Sequence, residues 1–198
     1  MGEAADESGY SITLTERRLV AEGTMAFYFD KPSQFAFTPG QFVDLTLPQP
    51  SETDAAGNTR AFSIASAPQE STLMVATRLR DTAFKRELQR MPLGSTVRME
   101  GPFGNLVLHA DQTRPAVFLA GGIGITPFRS MVVQAAMQRS PHPIVLFYSN
   151  RRPEDAVFLD ELQSLQDKNP HYRFVATMTE PANSSRPWQG ETGYINAV

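Results

Sequence analysis

The chain has 198 residues, of which 41% are hydrophobic and 20% charged, so it can bury a sizeable core as one large or two small domains. Its net charge of -3 argues against a nucleic-acid-binding protein, which would usually be basic. With 0 cysteines, these residues can form no disulfide, no thiolate zinc site and no cysteine-held iron–sulfur cluster.

The sequence also lacks the usual signals for metal and membrane binding. His109, His142 and His171 show no metal-ligand spacing, and we expect each of them at the surface. No apolar run reaches the roughly 18 residues that a membrane-spanning helix requires. Residues 1–10 are acidic and contain no apolar signal-peptide segment. We therefore expect a cytoplasmic protein with no metal, no nucleic-acid partner and no membrane association.

The first half of the chain has the pattern of about six short strands and one helix. The predicted strands cover residues 10–15, 24–29, 41–47, 60–64, 72–78 and 95–100. Asp81 is expected to cap the helix, which covers residues 82–90 and turns Ala83, Phe84 and Leu88 inward. Strands at this spacing are typical of an antiparallel barrel or sandwich.

From about Arg114 the pattern changes to alternating strands and helices. The predicted strands cover residues 116–120, 144–149 and 172–178, and the predicted helices residues 126–139 and 153–166. Alternation with helix-length spacers indicates parallel βαβ units. The polar break at residues 109–114 separates the patterns and predicts three parts: a tail (residues 1–9), a barrel domain (10–110) and an α/β domain (111–198).

A glycine-rich turn in the second half is the strongest local signal. Residues 117–120 form a continuous apolar run, which predicts a strand buried on both faces. Three glycines then allow a sharp turn and close approach to a ligand: Gly121, Gly122 and Gly124. Thr126 is expected to cap the following helix, with Pro127 in its first turn. Such a helix start suits an anion such as a pyrophosphate, although a tight turn without a ligand is the alternative.

The pentapeptide at residues 60–64 predicts a second contact with a cofactor. Arg60 and Phe62 share one face of the strand, and Ser63 points to the other. If the cofactor is a flavin, Arg60 holds a phosphate, Phe62 lies against the ring system or ribityl chain, and Ser63 bonds near flavin N5. The alternative is a solvated arginine beside a core phenylalanine.

Positive charge also gathers around the single helix of the first half. Its basic residues are Arg78, Arg80, Lys85, Arg86, Arg90 and Arg98, set against Asp81 and Glu87. The helix start at Thr82, Ala83 and Phe84 adds N–H donors, and the combination suits a pyrophosphate. The alternative is an ordinary solvated helix face.

Four motifs, in this order, resemble the ferredoxin–NADP reductase-like flavoprotein superfamily. They are P-G-Q-F at residues 39–42, R-A-F-S-I at residues 60–64, G-P-F-G at residues 101–104 and G-G-I-G-I-T-P at residues 121–127. The resemblance covers the chain from about Tyr10 to its end. It implies a six-stranded antiparallel flavin barrel followed by a Rossmann-like nicotinamide domain, with the flavin between them.

The resemblance further implies a flavin-dependent NAD(P)H oxidoreductase. A hydride passes from NAD(P)H to FAD near Ser63 and Thr126, and electrons then pass to a separate acceptor such as ferredoxin, flavodoxin or an oxygenase component. FAD is expected rather than FMN because the basic segment can hold its pyrophosphate. The FAD-binding residues implied are Arg60, Ala61, Phe62, Ser63, Ile64, Arg78, Thr82, Ala83 and Phe84. The implied NAD(P)-binding residues are Gly121, Gly122, Gly124, Thr126 and Pro127, with Ser149, Arg151 and Arg152.

Two departures from the family pattern stand out. Phe62 replaces the usual tyrosine, which keeps ring stacking but removes a phenolic hydrogen bond. The sequence also ends before a further strand–helix unit of about 30 residues or more that family members carry. We therefore expect a truncated nucleotide-binding domain. The alternative function is a non-catalytic flavin-binding module that acts through a partner.

The choice between NADH and NADPH rests on three residues after the second strand of the α/β domain. Ser149, Arg151 and Arg152 offer a hydroxyl and two guanidinium groups to a 2′-phosphate, which slightly favours NADPH. Against this, residues 177–179 lack a basic side chain, and the two arginines are equally compatible with a solvated surface. Oligomeric state is left open.

Overall fold

The protein was analysed as a computed structural model that describes residues 9–196. Residues 1–8 of the predicted tail therefore lie outside the described residues, as do Ala197 and Val198. Within the described range the chain forms an antiparallel sheet followed by a parallel sheet with helices, as predicted. None of these helices has the length and apolar character that a membrane span requires.

The first sheet contains six antiparallel strands in the order β4-β3-β6-β1-β2-β5. The strands are β1 (Tyr10–Ala21), β2 (Thr24–Asp30), β3 (Phe42–Thr46), β4 (Thr59–Ser63), β5 (Thr72–Arg78) and β6 (Thr96–Phe103). The two edges of the sheet meet just beyond β4, where the Ala65 amide donates to the Met74 carbonyl of β5 at 2.8 Å. This contact curls the sheet into the predicted barrel.

Alternation along the strands places one face of each in the barrel interior. The largest buried side chains there include Phe27, Phe29, Leu45 and Leu73. Strand β5 is buried on both faces, because Leu73 and Val75 face the interior while Met74 and Ala76 face the second domain. The outer surface of the barrel is therefore an interface on this side.

Helix α1 (Ala83–Arg90) packs on the barrel through Ala83, Phe84 and Leu88, as predicted. The predicted cap was wrong by one residue. Thr82, in extended conformation, accepts a hydrogen bond from the Lys85 amide at 3.4 Å, whereas Asp81 pairs with Arg86. A hydroxyl at the N-cap satisfies one of the amides that the first helical turn leaves free.

The second sheet is parallel, with strands in the order β10-β9-β8-β7. Its elements are β7 (Ala116–Gly121), α2 (Thr126–Met137), β8 (Ile144–Asn150), α3 (Leu159–Lys168), β9 (Tyr172–Met178) and the two-residue β10 (Glu191–Thr192). Helix α3 begins later than predicted. Residues 153–155 form a separate 3-10 turn, and Phe158 takes a left-handed conformation with φ of 60° just before α3.

Strand β7 is not buried on both faces, so that prediction was wrong. The side chains of Val117 and Leu119 are 59% and 61% exposed, whereas Ala116 and Ala120 are 5% exposed. Among the described residues β7 pairs only with β8 and is therefore an edge of the sheet. An apolar run cannot by itself distinguish a central from an edge strand.

The two domains share a small apolar interface. Ala26, Ala65, Met74 and Ala76 of the barrel form a buried cluster, and partly buried side chains including Ile123 and Phe158 pack on it. Small side chains on the barrel surface allow the glycine loop and the start of α3 to approach closely. The interface lies where the flavin and nucleotide motifs were expected to meet.

Candidate functional site

The glycine loop lies at the carboxyl edge of the parallel sheet. Strand β7 ends at Gly121, a 3-10 turn covers residues 122–125, and α2 follows. Gly122 has a φ of 52°, and a Cβ atom there would lie 3.1 Å from Arg78 Nη2, so the arginine of β5 rests against the loop. A Cβ on Gly124 would meet no atom within 4 Å, which leaves that side open. Carboxyl edges of parallel sheets are the usual places for nucleotides.

Thr126 does not cap α2, contrary to prediction. It is the first residue of the helix, is buried, and its hydroxyl donates to the Ile123 carbonyl at 3.2 Å. The intervening 3-10 turn moves Thr126 one step into the helix and makes Ile125 the N-cap residue. Pro127 lies in the first turn, as predicted.

The strand carrying the second motif packs against helix α1. Phe62 is 7% exposed and its ring centroid lies 5.8 Å from that of Phe84. The Arg60 guanidinium lies over the Phe84 ring at 5.2 Å, so Arg60 and Phe62 share one face as predicted. Ala61 is exposed, Ser63 is half-buried and Ile64 is fully buried.

Arg60 is also bound by the loop between β3 and β4. Its Nη2 donates to Asp54 Oδ1 at 2.8 Å, and its Nη1 donates to the carbonyls of Ala56, Gly57 and Thr59, each at 2.8 Å. An incoming phosphate would therefore have to share or displace the Asp54 carboxylate.

The same loop neutralises part of the positive charge around α1. Glu52 accepts two hydrogen bonds from Arg86, at 2.8 and 2.6 Å, and also contacts Arg90 at 3.5 Å. These bonds, led by the one from Arg86, lower the pKa of Glu52. Arg86 and Arg90 are therefore paired with an acidic residue that lies in a loop distant in the sequence.

The positive charge that remains is next to the start of α1. Arg78 and Arg80 form no ion pair with any residue in the range 9–196, and Lys85 donates its Nζ to the Arg78 carbonyl at 2.7 Å. Burial, followed by the charges of Arg80 and Arg60, lowers the pKa of Lys85. The predicted pyrophosphate contacts, these side chains and the first-turn amides of α1, therefore lie together in the structure.

The three residues predicted after β8 have different environments. Ser149 is half-buried in the last part of the strand. Arg152 is bound on both sides, to Asp155 at 3.1 Å and to Glu22 of the β1–β2 turn at 2.8 Å. Arg151 is 59% exposed and lies 3.7 Å from Asp155, so its guanidinium is the more available one.

Two polar residues near the loop were not predicted from the sequence. The Tyr148 hydroxyl donates to the Gly122 carbonyl at 3.1 Å, and burial raises the pKa of that phenol. Asn150 is 6% exposed, and neither atom of its amide has a hydrogen-bond partner among the described residues. The sequence did contain a signal for them. Strand alternation places Tyr148 and Asn150 on the buried face of β8, at the edge of the sheet where a ligand was predicted to bind.

Arg129 and Ser130 of α2 were also missed. The Arg129 side chain is 7% exposed and bonds Glu70, Glu161 and the Ala65 carbonyl, while the Ser130 hydroxyl donates to the Ser66 carbonyl at 2.7 Å. The sequence did contain a signal for Arg129. It is a charged residue within an apolar stretch of the helix, and a charge buried there requires partners.

The histidine prediction was wrong for His142, which is 2% exposed and lies 4.6 Å, between ring centroids, from His109. The segment linking β6 to β7 folds against the turn before β8 and covers it. His171 is exposed, as expected. In the part of the chain that the structure describes, no group of three or more side chains is placed to hold a metal ion.

Comparison with protein families matches both halves of the chain. Residues 11–108 match the "Oxidoreductase FAD-binding domain" family, and residues 118–198 match the "Oxidoreductase NAD-binding domain" family. The unmatched residues 109–117 include the polar break that separates the two sequence patterns.

Two curated proteins illustrate the sequence similarity. Ferredoxin--NADP reductase B of Sorangium cellulosum is 33% identical over 165 residues, which cover 82% of this chain and 65% of that protein. The toluate 1,2-dioxygenase electron transfer component of Pseudomonas putida is 30% identical over 196 residues, covering 96% and 55%. The chain thus spans about two thirds or less of the length of these relatives.

Solved structures share the fold. A ferredoxin NADP+ reductase from Neisseria gonorrhoeae with bound FAD and NADP has a TM-score of 0.77 at 24% identity, over 96% of this chain and 74% of that one. The FAD/NAD binding domain of a nitric oxide dioxygenase from Vibrio cholerae has a TM-score of 0.78 at 15% identity, over 96% and 81%.

Proposed function

Because the chain belongs to the ferredoxin–NADP reductase-like flavoprotein superfamily, we propose that it is an FAD-dependent NAD(P)H oxidoreductase. It takes a hydride from NAD(P)H and passes electrons to a separate acceptor. The observation that carries the proposal is the contact between the two motif-bearing segments. Residues 129 and 130, in the helix after the glycine loop, donate to the carbonyls of Ala65 and Ser66, which follow the flavin strand.

The residues between the barrel and α1 fit FAD. Arg78, Arg80 and Lys85, with the amides at the start of α1, provide donors for a pyrophosphate. Phe62 is buried against Phe84 and supports the site from within the barrel wall, and Arg60 offers a second phosphate contact once Asp54 is displaced. When bound, FAD supplies the hydride-accepting and electron-releasing chemistry.

The protein's own residues bind and orient the reactants in this proposal. Gly121, Gly122 and Gly124 admit the nucleotide backbone, and Ser63 and Thr126 supply hydroxyl groups on the two sides of the interface. No side chain has to act as an acid or base for the hydride step. Ile123 and Phe158 pack on the barrel and exclude water from the interface.

For the nucleotide, NADPH is the preferred substrate in our proposal, and Arg151 is the residue that meets its 2′-phosphate. Arg151 is the less engaged of the two neighbouring guanidinium groups, since Arg152 is bound by Asp155 and Glu22. Arginine suits a phosphate because its planar donors match the phosphate oxygens.

The electron acceptor in the proposal is a separate protein: a ferredoxin, a flavodoxin or an oxygenase component. These 198 residues contain 0 cysteines and so cannot hold an iron–sulfur cluster through thiolates. Several relatives are named as reductase or electron transfer components of oxygenases.

Anaerobic stopped-flow mixing of the FAD-loaded protein with NADPH, and separately with NADH, tests the proposal. We expect rapid bleaching of the flavin absorbance, faster with NADPH. Chemical reduction of the same sample by dithionite is the control that the bound flavin is reducible. Bleaching by dithionite but by neither nucleotide would contradict the proposal and favour a non-catalytic flavin-binding module.

A further inference from the structure

One buried ionic cluster joins the two domains, and we call it the Arg129 clamp. Its centre is the Arg129 guanidinium, whose side chain is 7% exposed. Nε and Nη2 donate to the two oxygens of Glu161 at 2.8 and 2.5 Å, and Nη1 and Nη2 donate to the two oxygens of Glu70 at 3.0 and 3.2 Å. Nη1 also donates to the Ala65 carbonyl at 2.7 Å. The cluster therefore provides an acceptor for each of the five N–H groups of the guanidinium.

The Arg129 clamp links three separate parts of the chain. Arg129 lies in α2, Glu161 lies in α3, and Glu70 and Ala65 lie in the segment after barrel strand β4. Ser130 adds a parallel bond to the next carbonyl of that segment, at 2.7 Å. Two consecutive side chains of α2 thus hold two consecutive carbonyls of the barrel.

The barrel side of the clamp is itself fixed. The Ala65 amide donates to the Met74 carbonyl at 2.8 Å, and the Met74 amide donates to Ser66 Oγ at 2.9 Å. Glu70 Oε2 accepts the Ala67 amide at 2.6 Å. Ala65 and Ser66 therefore cannot shift without breaking bonds to β5, so a movement of α2 is opposed by the barrel.

The clamp lies within one helical turn of the nucleotide motif and within a few residues of the flavin motif. Arg129 follows Thr126 by three residues in the same helix, and Ala65 follows Ser63 by two. An α-helix transmits position along its axis with a rise of about 1.5 Å per residue. Fixing Arg129 on Ala65 consequently fixes the distance between the two motifs.

We infer that Arg129 is a positioning residue that sets the approach of the nicotinamide nucleotide to the flavin. This inference rests on the proposed function. Burial lowers the pKa of Arg129, but the bonds from Glu161 and Glu70 outweigh that effect and the pKa is raised overall, so the guanidinium remains charged. Lysine would keep the charge, yet its three donors cannot form this fork.

Arg129→Lys is the diagnostic variant, and Arg173→Lys is its matched control. Arg173 undergoes the same exchange at an exposed position near the start of β9, outside the clamp. With FAD-loaded protein in anaerobic stopped-flow, we expect R129K to lower the limiting rate of flavin reduction about 10- to 100-fold, since a misplacement near 1 Å can have such an effect. We expect the Kd for the nucleotide to stay within about threefold and R173K to leave both values unchanged.

Hydrogen–deuterium exchange on the FAD-loaded proteins without nucleotide gives an independent readout. In R129K we expect faster exchange in residues 63–70 and 121–131 and unchanged exchange in α1. If R129K does not fold, Glu70→Gln, which keeps an acceptor oxygen but loses the charge, takes its place in both measurements.

The outcomes separate the inference from the proposed function. Wild-type-like reduction rates in R129K, or unchanged exchange in both segments, would overturn the positioning role of Arg129. If neither NADPH nor NADH reduced the flavin of the wild-type protein, the proposed function would be overturned instead. In that case the exchange measurement still decides whether Arg129 fixes the glycine loop on the barrel.

Discussion

Arg60 is bound by Asp54 and three loop carbonyls. Two variants can therefore distinguish a phosphate contact of Arg60 from its contribution to the structure of the loop. We expect Arg60→Ala to weaken FAD binding at least tenfold, because a charge-assisted hydrogen bond contributes about 1.5–3 kcal/mol. Asp54→Asn is the control: it removes the ion pair and leaves the guanidinium in place, so FAD should bind as tightly or more tightly. Titration of the apoprotein with FAD, followed by flavin fluorescence, measures both.

Retention of full FAD affinity in R60A would refute the phosphate contact. Equal losses of FAD affinity in R60A and D54N would instead assign the effect to collapse of the loop at residues 48–58, and not to a lost phosphate contact.

Arg151 and Arg152 are neighbours in the chain, and we expect their replacement by alanine to have different effects. We expect Arg151→Ala to raise the KM for NADPH about tenfold and to leave the KM for NADH nearly unchanged, since only NADPH carries the 2′-phosphate. Arg152→Ala should instead lower thermal stability, because it leaves Asp155, 3% exposed, without its nearest cation. Steady-state kinetics with both nucleotides and a thermal melt distinguish these results. A parallel rise of both KM values in R151A would speak against a phosphate contact.

Sequence reasoning at the scale of single residues succeeded where the signal was local. The shared face of Arg60 and Phe62 follows from strand alternation alone, and both side chains do meet Phe84. It failed for Arg129, because the partners of that residue are 32 and 59 positions away in the chain. A buried charge is recognisable only after the fold has brought its acceptors together.

At the scale of elements, the start of helix α3 contains a residue in an unfavourable conformation. Phe158 has a φ of 60°, which a side chain with a Cβ rarely adopts, while its ring packs on the barrel and under Arg129 at 5.0 Å. Both Phe158→Ala and Phe158→Gly lose that packing, which we place on the order of 2 kcal/mol. Glycine relieves the backbone strain, so F158G should be more stable than F158A by about 1 kcal/mol.

Urea denaturation of the two Phe158 variants measures this difference. If F158A proved equal to or more stable than F158G, the left-handed backbone would not persist without the ring. The conformation would then be a consequence of packing rather than a property of the turn.

Most elements could be predicted, and the exceptions have physical causes. Helix α1 was predicted with its buried face correct, because amphipathic spacing is a local property. The edge position of β7 could not be read from its composition, since exposure depends on which strands pair beside it. The start of α3 was misplaced because Pro153 suits the first turn of a 3-10 helix as well as that of an α-helix.

For the whole molecule, two domains and their order followed from the change of pattern near residues 109–114. Their mutual arrangement did not, because it depends on a few small side chains and one ionic cluster spread over the chain. The predicted meeting of the flavin and nucleotide motifs came from the family resemblance. The contacts that bring them together could be seen only in the structure.

The lowered pKa of one carboxylate predicts how the stability of the whole molecule changes in acid. Hydrogen bonds from Ser185 and Ser184 lower the pKa of Glu154 from 4.5 to about 2. A group whose pKa is lower in the folded state stabilises the fold above its unfolded pKa, and that contribution is lost as pH falls through the folded value. Glu154 therefore contributes fully above about pH 4.5, and its contribution disappears towards pH 2.

We expect the urea midpoint to fall between pH 5 and pH 2, and Glu154→Gln to make that decline shallower while lowering the midpoint at pH 6. Asp167→Asn, at an exposed position on α3, changes the net charge equally and serves as control. Circular dichroism during urea titration at several pH values provides the measurement. Identical pH profiles for E154Q and D167N would show that net charge, not the serine contacts, controls acid stability.

The position of β6 within its sheet has a consequence for synthesis on the ribosome. It is the last barrel strand to be made, yet it lies between β3 and β1 in the finished sheet. Until it emerges, β3 and β1 each keep an open edge, and the strand groups β4-β3 and β1-β2-β5 can meet only at the Ala65–Met74 contact. Open strand edges invite pairing with other chains. Translation that pauses before Thr96 would thus prolong a stage with open strand edges, at which a chaperone that binds the nascent chain would protect it from pairing with other chains.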